Sequence, residues 1–93
     1  MEKTIKEITY NTESAILLAY SKNPAGLPNQ AFYVTDERQF FVETSMPRYR
    51  DIDTVSEQYA VLMIRARIKN LVLVYDNIAR YLPQVYVNIA DCK

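Results

Sequence analysis

The chain has no histidine and no tryptophan, one cysteine and one glycine, and no net charge, since 11 Lys and Arg balance 11 Asp and Glu. Each shortage removes a class of chemistry. Without histidine the chain lacks the commonest general base and metal ligand near neutral pH, and no triad of His with Ser or Cys forms within it. A structural zinc site takes Cys and His in number, and Cys92 stands alone. The same cysteine leaves no internal disulfide, which fits a reducing compartment. It is the second-last residue and reads as an incidental thiol where chains fray. Gly26 alone supplies neither a Walker-type loop nor a dinucleotide fingerprint. The longest purely apolar run, residues 59–64, stops at Arg65, far short of the roughly 20 residues that span a bilayer. The charged start (Glu2, Lys3, Lys6, Glu7) precedes no secretory core. The expectation is a cytoplasmic protein with no membrane contact and no metal or other cofactor.

What is present is a foldable chain. It has 93 residues, 49% of them hydrophobic, which suits one packed domain over residues 1–93. A chain of this size buries only about 60–70% of its unfolded surface, so a homodimer would be a natural supplement.

Residues 4–10 read as a strand. Asn11 reads as a helix N-cap, with Glu13 in the first turn and Ala15, Ile16, Leu18, Ala19 and Tyr20 on an apolar face, ended by Pro24. Two prolines and the glycine make 23–29 a loop. Residues 31–35 and 39–44 are aromatic and β-branched, and Asp36-Glu37-Arg38 joins them as a β-hairpin. Residues 45–50 read as a connection. Thr54 and Glu57 have capping-box spacing, which predicts a helix to about Ile68 with Val55, Tyr59, Leu62, Met63 and Ala66 on its apolar side. Residues 71–74 predict a buried strand and Asp76 caps a short helix through Leu82; one helix over 54–82 is the alternative. Alternation at Val85, Val87 and Ile89 predicts a last strand. The order implies an α+β domain: a small, mostly antiparallel sheet with a β-hairpin, packed against two or three helices.

Two segments carry a resemblance. Tyr10-Asn11-Thr12-Glu13-Ser14-Ala15, then Phe32-Tyr33-Val34-Thr35 and Phe40-Phe41-Val42 around a charged turn, resemble small uncharacterised accessory proteins of phages, plasmids and other mobile elements. The likeness covers residues 8–44 and departs at Arg38, where those proteins usually carry glycine. A left-handed backbone is costly for Arg, so a different turn type is expected there. The resemblance implies a mobile-element accessory protein and brings no catalytic motif with it.

Three groups of residues are candidates for function. Tyr49, between Arg48 and Arg50 in the 45–50 connection, combines the residue types most frequent at binding hot spots. These three residues are the predicted contact with a protein partner, which would be occluded by them; inhibition of a host defence or regulatory complex is one such role. Arg65, Arg67 and Lys69 are the alternative, a basic helix face for nucleic acid, with Arg65 and Lys69 at i, i+4. The electrostatic case is slight: residues 47–93 hold 7 cations and 5 anions and the rest 4 and 6, so the halves differ only as +2 and −2. Asp51-Ile52-Asp53 has the form of a metal-binding pair, but a hard cation takes about six oxygens, and two acids before a helix at Thr54 are expected to stabilise its terminus. Nothing brings a nucleophile, a base and an anion site together around Glu43 or Asp51, so the expectation is a protein that is not an enzyme. Of the eight tyrosines, Tyr10, Tyr33 and Tyr59 are expected to face the core. Phe40 and Phe41, adjacent on a strand, cannot share one face: either a second layer, expected to be a covering helix, buries the other face, or one of them is exposed and extends an apolar binding patch.

Overall fold

A computed structural model describes residues 2–21, 29–46 and 48–85 and arranges them in three layers. The first layer is a hairpin, β1 (Glu2–Ile5) and β2 (Ile8–Asn11). The middle layer is a five-stranded sheet of β3 (Ile16–Ser21), β4 (Asn29–Val34), β5 (Phe40–Met46), β6 (Tyr49–Val55) and β7 (Leu71–Leu73), ordered β6-β5-β4-β3-β7. Every pairing is antiparallel. The third layer holds α1 (Glu57–Ala66) and α2 (Tyr75–Tyr81). This is the α+β architecture expected, with two helices.

Phe40 and Phe41 explain the layering. They point to opposite faces and both are buried. Phe40 joins Leu18, Phe32, Val34, Val42, Ile64, Ile78, Leu82 and Val85 in the core on the helix side. Phe41 joins Tyr10 and Ile52 on the other side. There the second layer is not the expected helix but the β1–β2 hairpin: the Tyr10 ring meets Phe41 edge-on at 5.2 Å, and Tyr33 stacks on Phe41 at 5.2 Å and 11°. Tyr10 is thus buried and Tyr33 half-buried, whereas Tyr59 faces solvent, against expectation.

Several boundaries differ from the sequence reading. The strand expected over 4–10 turns back on itself at Lys6 and Glu7, whose φ angles of 50° and 70° are those of a two-residue hairpin turn. The helix expected after Asn11 is a strand. Asn11 does cap, but only one turn: its side chain accepts the Glu13 N–H (2.9 Å) and its carbonyl the Ala15 N–H (3.0 Å). The run from Ile16 to Tyr20 is apolar throughout, so its period does not separate helix from strand, and β3 lies between β4 and β7. A register shift interrupts the β3–β4 pairing between Leu17 and Ala19. The Asn77 side chain donates to Leu17 O (2.8 Å) and the Val74 N–H to Leu18 O (2.9 Å), which ties α2 to the sheet.

Residues 45–50 are not an irregular connection; β5 and β6 run through them as a second hairpin in which Met46 opposes Tyr49. Thr54 stays in the β6 ladder opposite Phe41, so the cap of α1 is Ser56, which accepts the Tyr59 N–H (3.1 Å). The buried face of α1 is Ala60, Val61 and Ile64, rotated from the face predicted. A continuous apolar run does not mark its own inner side, and the small Ala60 allows close approach to the sheet. The helix ends at Ala66, a 3₁₀ turn covers Ile68–Asn70, and β7 follows as predicted, which excludes one helix over 54–82. Val74, not Asp76, caps α2, and Asp76 lies in its first turn. The loop at 23–29, apart from Asn29, and the last strand beyond Val85 lie outside the described residues, as does Cys92.

Arg38 keeps the left-handed backbone despite its Cβ, at φ 63°. The Arg38 N–H to Thr35 O bond and the Thr35 N–H to Gln39 O bond close a three-residue loop of the kind that places its last residue there. The left-handed conformation expected to be avoided at Arg38 is therefore adopted. The Arg38 guanidinium reaches Glu57 Oε1 at 3.1 Å and Tyr81 O at 3.0 Å and lies 5.6 Å from the Tyr81 ring centroid, joining the turn to both helices.

Candidate functional site

The residues singled out for partner contact fall at the tip of the β5–β6 hairpin and along β6. Tyr49 and Met46 are directly opposed and share one side of the hairpin; Tyr49 is 53% exposed and Met46 46%. Arg48 is exposed and has no ion-pair or hydrogen-bond partner among the described residues. Arg50 differs: its Nη2 donates to Glu43 Oε2. Glu43 is the buried charged residue of the sheet, its side chain 11% exposed, so Arg50 serves to neutralise it. A buried carboxylate left without its cation is strongly destabilising.

Asp51 gathers three donors. Oδ1 accepts from Lys3 Nζ at 2.5 Å and from the Ile52 N–H at 2.9 Å, and Oδ2 accepts from the Tyr49 hydroxyl at 3.2 Å. These bonds hold the Asp51 carboxyl below the usual carboxylate range, the Lys3 bond contributing most. The same Lys3–Asp51 bond raises the Lys3 ammonium, and the hydrogen bond to Asp51 raises the Tyr49 hydroxyl. Tyr33 is raised by its own burial and then by the charge of Glu43. Asp51 and Asp53 thus sit on an edge strand rather than before a helix, and Asp51 pins β1 to β6. No group of three or more His, Cys, Asp or Glu is placed to hold a metal among the described residues.

On the helix side of the sheet a groove of about 500 Å³ runs between α1 and β5–β6, lined by Val42, Thr44, Asp53, Val55, Tyr59 and Met63. Tyr59 is 47% exposed, and Leu62, three residues on, is 61% exposed. Thr44 precedes Met46 by two positions on β5 and so shares its face. The groove therefore continues toward the Met46–Tyr49 pair.

The alternative basic face does not hold together as one helical surface. Arg65 is half-buried in the last turn of α1, Arg67 is its C-cap, and Lys69 lies beyond it in the 3₁₀ turn. Arg67 is also engaged, donating to the Gln30 side chain of β4. No helix of the described residues is long and apolar enough to cross a membrane.

No family model matches the chain, and no curated protein or solved structure is detectably similar to it. Exposed tyrosine and methionine at a hairpin tip were half legible in sequence, through the Arg-Tyr-Arg triplet. Met46 and the Tyr59–Leu62 ridge were not, because each reads equally well as core.

Proposed function

We propose that the chain is a small non-enzymatic protein-binding module of a virus or mobile element, acting by occluding a surface of its partner. The observation that carries the reading is the Met46–Tyr49 pair, two large side chains about half exposed at the end of a paired hairpin. Exposed apolar and aromatic groups held on rigid strands suit binding rather than chemistry. Arg48 lies beside them with its guanidinium free among the described residues, and Arg and Tyr are both enriched at hot spots. Inhibition of a host defence or regulatory complex is the role the mobile-element resemblance suggests. The test is affinity capture from host lysate, with and without nuclease, comparing the native chain with a Tyr49→Ala/Arg48→Ala variant. Arg50 is left intact because its removal would strand Glu43 and test folding instead. The reading expects nuclease-resistant protein partners that the variant loses. Capture only of nuclease-sensitive material, or undiminished capture by the folded variant, refutes it.

A further inference from the structure

β6 ends the five-stranded sheet, and among the described residues no strand pairs with its outer side. Two residues separate Met46 from Tyr49, so these form the first hydrogen-bonded pair of the hairpin. Alternation then turns the backbone N–H and C=O of Arg50, Ile52 and Thr54 outward. The Ile52 N–H confirms this direction, since it donates to the Asp51 carboxylate instead of to β5. Such an edge is a ready template for an added strand. Its seven residues offer a full strand's length, whereas β7, at the opposite end of the sheet, has three.

We infer that the β6 edge, as part of the partner surface proposed above, binds an extended peptide segment bearing Lys or Arg at alternate positions. Charge selects the occupant. Tyr49, Asp51 and Asp53 project to one side of the strand, and an added strand sets its own alternate residues beside them. Its carbonyl replaces the Asp51 carboxylate on the Ile52 N–H. Its cations meet Asp51 and the exposed Asp53, and the Lys3 ammonium returns to water. Each polar group exchanges one partner for another, so addition leaves nothing buried and unpaired.

The same charges oppose a second copy. Antiparallel self-pairing centred on Ile52 sets Asp51 against Asp53, and centring on Asp51 or on Asp53 sets that residue against itself. Like charges directly opposed are destabilising in a sheet.

The test uses isotope-labelled full chain and capped seven-residue peptides alternating Lys and Val. The amides of Arg50, Ile52 and Thr54 are expected to shift on titration. A Glu-for-Lys peptide, and a Lys–Val peptide methylated at its valine nitrogens, the set that would face β6 in antiparallel addition, should leave them unmoved. Lys3→Ala should tighten binding, and an Asp51→Asn/Asp53→Asn variant should weaken it roughly tenfold. Absent shifts, equal response to the Glu peptide, or retained binding of the methylated peptide overturns the inference. Concentration-dependent dimerisation that broadens the same amides assigns the edge to a second copy and overturns it too. If lysate capture depends on Tyr49 and Arg48 yet these edge tests fail, the hairpin-tip reading stands and the edge alone is refuted.

Discussion

Replacing Arg38 by glycine and, separately, by alanine weighs backbone strain against side-chain contacts in one residue. At φ 63° a residue with a Cβ carries about 1–2 kcal/mol of strain that glycine avoids. Glycine returns roughly 0.5–1 kcal/mol of that through its freer unfolded chain. Against this stand three contacts. The bond to Tyr81 O is worth about 1 kcal/mol, the half-exposed Glu57 pair about 0.5 kcal/mol, and the Tyr81 ring contact about 0.5 kcal/mol. Arg38→Ala loses the contacts and keeps the strain, so it should be less stable than the native chain by about 2 kcal/mol. Arg38→Gly loses the contacts and sheds much of the strain, for a deficit of about 1 kcal/mol. Urea unfolding followed by circular dichroism reads both. With a slope near 1 kcal/mol per molar, roughly that of the smallest domains, the midpoints should fall about 1 M apart in the order native, glycine, alanine. A glycine variant at least as stable as the native chain would show that the contacts are worth no more than the net strain glycine relieves, which refutes the reasoning. Equal glycine and alanine variants would show that the strain only matches glycine's unfolded-chain cost, and a glycine variant less stable than alanine that the left-handed turn carries no such strain.

Three other outcomes are expected. Lys6→Asn with Glu7→Gly installs the preferred residues of the β1–β2 turn and should raise stability by about 1–2 kcal/mol, read as a higher melting temperature. Phe41→Ala removes the ring that joins Tyr10 and Tyr33 and should cost about 3–5 kcal/mol; near-ultraviolet circular dichroism should report loosened tyrosines. The Lys3–Asp51 pair should add stability between the ordinary aspartate and lysine pKa values and lose it at both ends of the pH range. Asp51 is lowered on folding, so its contribution is complete above the ordinary aspartate pKa and lost as pH falls through the folded value. Lys3 is raised, so its contribution is complete below the ordinary lysine pKa and lost as pH rises through the folded value. A Lys3→Met/Asp51→Asn variant should flatten both limbs, and thermal melts across pH check it.

The hairpin of β4 and β5 and the strand β7 could be read from sequence because their patterns are local: aromatic, β-branched runs, one closed by a charged turn and one bounded by breaks. β3 could not, since Ile16 to Tyr20 is apolar throughout, and only its place between β4 and β7 decides against a helix. The caps were misplaced for the same reason. Thr54 has the right chemistry for an N-cap, but its ladder position opposite Phe41 keeps it extended and passes the role to Ser56. At the candidate site the Arg-Tyr-Arg triplet was legible as a patch. That Arg50 is spent on Glu43, seven positions back, follows from strand pairing and leaves no local mark.

The position of β3 sets an order of events during synthesis. It pairs with β4 as soon as the hairpin-forming residues leave the ribosome, but its other neighbour is β7, with Ala19 opposite Leu73, 54 positions later. Until that stretch arrives, a greasy strand presents a bare flank to solvent. A nascent or truncated product ending after β6 should therefore be the species most prone to clump and most in need of a chaperone. Closing so distant a pair also makes β7 docking a natural late step in folding.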